Sequence, residues 1–209
     1  MQVPNWLRFS FIAVFIFWIF SDKMVEFLVD WNWFESIGYL ELFSTRIVTQ
    51  IFLWVITFFG VLAFIFFNIK YASSVAKINV FRLQEQLADV TLSPDQLGLV
   101  LKIAHWVVAI LPALLFASVA SQQWLYCLAF LDPAPFGKVD PIFGLEISFY
   151  VFQLPVIRFF LGIVEAVGVM TLLIVGLQSF VRDVMLGTGQ LTIHSKARLQ
   201  ICLLLTVLF

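Results

Sequence analysis

The chain has 209 residues, of which 62% are hydrophobic and 12% charged, with a formal net charge of −1 and a mean hydropathy of +1.03. A soluble domain is near half apolar and a quarter charged, so a water-soluble fold of this size could not hide so much apolar surface, whereas a bilayer removes the need. The near-neutral balance leaves no basic field for nucleic acid, and Cys127 and Cys202 form no metal-type pair and read as small apolar residues.

The expected fold is all-α: one polytopic transmembrane helical domain over 1–209. The first span is expected at about 7–29, where Arg8 precedes an apolar stretch. No small-x-small cleavage site follows it, so an uncleaved span is the better reading than a signal peptide. The second span, 47–67, holds 21 residues without a charge, roughly 31 Å as a helix. The third, 103–120, is interrupted only by His105 and Pro112. Ahead of it, Ser93-Pro94-Asp95-Gln96 has the pattern of a helix start, with Ser93 able to cap and Pro94 suited to the first helical position. The fourth span, 156–181, carries Arg158 at one end and Glu165 inside. From about 199 the chain is apolar again through Phe209, too short to cross a hydrocarbon core about 30 Å thick. A fifth span is therefore expected to be cut, and the chain reads as the front piece of a longer protein.

Charge in the connections sets the expected orientation. With alternating sides, one side holds Arg8, Lys70, Lys77, Arg82, Lys102, Arg182, Lys196 and Arg198, and the other only Lys23, Arg46, Lys138 and Arg158. The positive-inside rule then places the N-terminus in the cytoplasm of a cell with an inner membrane. The segment 77–89 sets Phe81, Leu83 and Leu87 among charges and reads either as a helix on the inner membrane surface or as a solvated helix. The connection from Gln122 to Pro155, on the outer side, is punctuated by Pro133, Pro135, Gly137, Pro141 and Gly144. It also holds Phe136, Phe143, Phe149, Tyr150 and Phe152. It is expected to be ordered and packed at the outer interface.

That connection reads Phe136-Gly137-Lys138-Val139-Asp140-Pro141-Ile142-Phe143-Gly144, then Ser148-Phe149-Tyr150-Val151-Phe152-Gln153-Leu154-Pro155. The earlier one reads Asp30-Trp31-Asn32-Trp33-Phe34-Glu35-Ser36-Ile37-Gly38-Tyr39, followed by Phe43 and Thr45. In order and over nearly the whole chain, these motifs resemble uncharacterised protein family 0182, large bacterial and cyanobacterial membrane proteins of unknown function. The resemblance implies further spans after Phe209 and then a large extracytoplasmic domain, the partners expected for this chain beside the lipid bilayer. It implies no established activity, cofactor or catalytic residue.

The Asp30–Tyr39 aromatics read most simply as an anchoring belt at the headgroups, and otherwise as a docking surface. Asp140, Pro141 and Gly144, with Tyr150 downstream, form a candidate motif whose simplest use is turn-making. The alternative, a cation site from Asp132, Asp140 and Glu146, lacks any established ligand spacing.

Glu165 is the residue with most to say, because an acid inside a span marks a site by default. Gly162 and Gly168, three residues either side, are read as sharing its face, and glycine-lined faces pack against helices. Glu165 is therefore expected to point into the bundle in its neutral form. There it would donate to Thr57 or to the Val108 carbonyl that Pro112 leaves without a donor. Gln50 completes a thin polar path. His105 and His194 read as interfacial, Gly187-Thr188-Gly189 as a turn, and no catalytic set, cofactor site or metal site is visible. Three functions stay open: membrane anchor and scaffold for an outer domain, transporter or channel component using Glu165, and envelope- or lipid-processing membrane enzyme.

Overall fold

The computed structural model describes residues 5–75 and 94–185, together with Cys202. Its helices are α1 (Asn5–Ser36), α2 (Leu40–Val75), α3 (Pro94–Ser121), α4 (Trp124–Leu131) and α5 (Leu154–Met185), with a π-helical turn, Phe149–Gln153, leading into α5. Among the described residues the extended structure is a single isolated bridge, Val139 to Glu146. The 77–89 segment, Gly187-Thr188-Gly189, His194 and all of the expected fifth span but Cys202 lie outside the described residues.

Three stretches are long and apolar enough to cross a membrane: Leu40–Ala72, Gly98–Ser121 and Phe149–Phe180. The expected spans 47–67, 103–120 and 156–181 each fall inside a helix, and 7–29 lies within α1. The helices outrun the apolar runs because a helix need not end where the hydrocarbon does. α3 begins at Pro94, where the missing N–H of proline is harmless. It also continues through Pro112, a break that neighbouring helices make tolerable in membrane proteins.

The chain divides into two compact units between Thr49 and Gln50. In the first, α1 ends at a left-handed glycine. Gly38 has φ +77°, the Tyr39 N–H donates to the Phe34 carbonyl at 2.9 Å, and the Gly38 N–H donates to that of Glu35 at 3.1 Å. This paired geometry satisfies two carbonyls that the helix end would orphan, and the sharp turn lets α2 begin at Leu40. It also brings Phe43 into reach of Phe27, Trp31 and Phe34, with ring centroids 5.7, 6.1 and 5.1 Å away. Phe43 is almost fully buried in this cluster, while Trp33 and Tyr39 stay exposed.

In the second unit, α2, α3 and α5 share one core. Val61, Ile65 and Ile69 of α2 cluster with Ala109, Ala113 and Phe116 of α3 and Val167 of α5. On α3, Ala109, Ala113 and Ala117 are fully buried at every fourth position. Between helices in lipid there is no water to expel, so attraction comes from van der Waals packing, and small residues let backbones approach. Packed against this core, Phe66 stacks on Trp106 at 4.7 Å. Thr171 of α5 is buried in the apolar surroundings, and its hydroxyl donates to the Val167 carbonyl at 2.7 Å, leaving no unsatisfied donor.

Candidate functional site

The 132–148 loop is built around two carboxylates. Its two limbs meet at one bridge: the Asp140 N–H donates to the Leu145 carbonyl at 2.8 Å and the Ile147 N–H to that of Lys138 at 3.1 Å. The chain reverses through Pro141 and reaches Gly144 at φ +67°, where the Gly144 N–H donates to the Asp140 carbonyl at 2.9 Å. The Asp140 carboxylate holds this reversal from inside. Its Oδ2 accepts the Phe143 N–H at 2.9 Å and the Tyr150 hydroxyl at 3.0 Å.

Glu146 does the same for the other limb. Its Oε1 accepts two successive amides, Phe136 at 2.8 Å and Gly137 at 3.1 Å, and its Oε2 accepts the Ser148 hydroxyl at 2.8 Å. Gly137 has φ +67°, a conformation that lets adjacent N–H groups converge on one anion. Phe136 then stacks on Phe152 of the π-helical turn at 5.9 Å, and the Gln153 amide reaches the Phe130 carbonyl of α4 at 3.5 Å. The loop is thus fastened at both ends of its short hairpin to the start of α5.

These donors favour the charged carboxylates. The Phe143 amide first, then the Tyr150 hydroxyl and the Ile142 amide, hold Asp140 below the usual carboxylate range against a smaller desolvation effect. The Ser148 hydroxyl first, then the Gly137 and Phe136 amides, do the same for Glu146. The candidate residues Asp140, Pro141, Gly144 and Tyr150 are therefore brought together, as a turn closed by a side-chain bond. Asp132 does not join Asp140 and Glu146 in a cluster that could hold a metal ion among the described residues. Neither Glu146 nor Ser148 stood out as a loop anchor in the sequence. The signal was an acid nine residues after the left-handed Gly137, a separation with no local pattern.

The intramembrane candidates come apart. Gln50 and Thr57 are half-buried on α2, but Glu165 is exposed. No hydrogen bond joins it to either among the described residues. The expectation that Glu165 points into the bundle is thus corrected. At 3.6 residues per turn, a three-residue step rotates by about 300°, so Gly162 and Gly168 flank Glu165 by about 60° on opposite sides. The core lies only on the Gly168 side, with Val167, Thr171 and Val175. Gly162 faces open space. A polar contact inside the bundle occurs elsewhere. His105 of α3 and Gln178 of α5 approach to 3.5 Å between Nε2 atoms, so His105 does not stand alone. Gln178 was legible only as an amide late in an apolar span.

Long apolar helices around a packed core, joined by a hydrogen-bonded aromatic loop, define an all-α membrane protein. The chain belongs to UPF0182, an uncharacterised protein family, whose model matches residues 7–209. It is similar to a UPF0182 protein of Moorella thermoacetica, 28% identical over 162 residues, which are 75% of this chain and 17% of that protein. A UPF0182 protein of Saccharopolyspora erythraea is 32% identical over 152 residues, 72% of this chain and 16% of its own length. One from Streptomyces coelicolor is 34% identical over 142 residues, 65% of this chain and 14% of its length. The chain spans about a sixth of the length of the curated relatives it matches. No solved structure matches it.

Proposed function

We propose that this chain is the membrane anchor and scaffold of a larger protein with an extracytoplasmic domain, seated in the inner membrane with a cytoplasmic N-terminus. The observation that carries this reading is the composition of the shared core of α2, α3 and α5. Val61, Ile65 and Ile69 pack with Ala109, Ala113, Phe116 and Val167, and the buried Thr171 bonds back to its own helix, so packing rather than charge supports the contact between these helices. The excess of basic residues in alternate connections supports the orientation, eight against four. The loop carboxylates support it from the other side: both are occupied in shaping the loop, as a rigid spacer at a membrane face needs. A transport role through Glu165, Thr57 and Gln50 would require a polar path, and among the described residues no hydrogen bond joins Glu165 to either of the other two.

The test is a chimera. Residues 1–209 are replaced by an unrelated membrane segment of the same topology, and the gene is returned to a deletion strain scored for envelope integrity and lipid composition. Restoration with correct display of the downstream part is the result expected of an anchor. Failure to restore, with the downstream part displayed normally, refutes it.

A further inference from the structure

Glu165 lies sixteen residues after Phe149 and fifteen before Phe180, at the middle of an apolar stretch. Half of a hydrocarbon core about 30 Å thick is covered by about ten helical residues on each side. Every window of about twenty residues in this stretch contains Glu165, so its backbone lies inside the hydrocarbon whichever part of the stretch fills it. Glu165 is nevertheless exposed, and no hydrogen bond or ion pair engages it among the described residues. The next ionisable group on the same face, Arg158, is two turns away, roughly 10 Å along the axis.

The surroundings on that face are specific. Gly162, Ala166 and Val169 are exposed beside Glu165, and an added Cβ on Gly162 would meet nothing within 4 Å. Gly162 and Ala166 are four apart, a spacing of small residues that admits close approach by a second helix. Acyl chains would leave the carboxyl with no replacement for the water it has lost, a state membrane proteins avoid by pairing such groups within the protein. A helix bearing a donor at the same depth fits both the shape and the chemistry.

We propose that the Gly162–Glu165–Val169 face of α5 is the docking surface for a further transmembrane helix of the same polypeptide. That helix presents a hydroxyl, carboxamide or basic side chain to Glu165 inside the hydrocarbon. The source is assigned to the same polypeptide because the relatives are about six times longer than the region they share with this chain. The inference rests on the membrane placement of α5 and not on the anchoring role, so it stands if the chimera above fails.

The experiment places the photo-crosslinking residue p-benzoylphenylalanine at Val169, leaving Glu165 intact, in the full protein expressed in its own membrane. The expected product has the mass of one polypeptide, and its linked peptide is an apolar segment outside residues 5–185 that contains a donor side chain. Glu165→Gln, which keeps both a donor and an acceptor, preserves the yield, whereas Glu165→Leu lowers it several-fold. Lipid adducts alone would overturn the proposal, as would a species of twice the mass or a link to a different protein. An unchanged yield in Glu165→Leu would overturn it too, because the carboxyl would then play no part in recruiting the helix.

Discussion

Replacing Ile65 with Ala separates a lipid-embedded core from a water-soluble one. Ile65 is 0% exposed and packs in the cluster with Ala109, Ala113 and Val167. The change deletes three carbons. In a soluble protein their transfer is worth roughly 0.8 kcal/mol each, about 2.4 kcal/mol together. With the cavity left behind, such truncations total about 2–5 kcal/mol. In a bilayer the separated helices leave Ile65 among acyl chains that solvate it equally well, so the transfer part drops out. What remains is lost dispersion and the cavity, about 1–2 kcal/mol. Phe52, 62% exposed on the same helix, loses little packing when truncated, so Phe52→Ala should fall within about 0.5 kcal/mol of wild type. Reversible unfolding in bicelles by steric trapping measures both. A loss at Phe52 equal to or above that at Ile65 would refute the reasoning, since it would mean that Phe52 is buried against protein.

Ala113→Leu adds three carbons where α3 meets the core, and is expected to destabilise by about 1–3 kcal/mol in the same assay. Gly38→Ala meets no atom within 4 Å, so its expected loss of about 1–2 kcal/mol comes from the left-handed backbone alone, and shows as faster amide exchange at Tyr39. The loop should respond to acid with a defined sign. Asp140 and Glu146 are held below their ordinary values in the folded loop, so the opened loop binds more protons as the pH falls. Protection of the Phe136, Gly137 and Phe143 amides is therefore expected to be full above the ordinary carboxylate range and lost as pH drops through the depressed values. Glu146→Gln removes the charge and turns an NH2 toward one of three donors, so it should loosen Phe136 and Gly137 at neutral pH while leaving Phe143 protected.

The all-helical, apolar character was legible in the sequence, because it follows from composition and from unbroken apolar runs that need no tertiary context. The apolar runs 47–67, 103–120 and 156–181 each fall inside a helix for the same reason. The Schellman turn at Gly38 and the Glu146 clasp were beyond that reach. One depends on a backbone torsion and the other on amides nine and ten residues upstream of their acceptor.

Glu165 shows the boundary most sharply. Its presence inside an apolar stretch is a fact of sequence order. Which way it faces is not, since apolar residues surround α5 on every side and lipid and core attract them alike. Only the positions of α2 and α3 choose the buried arc, and they choose the side of Gly168 and Thr171. In water, polarity would have marked the outer face; in hydrocarbon that signal is absent, and the packing of neighbouring helices decides it.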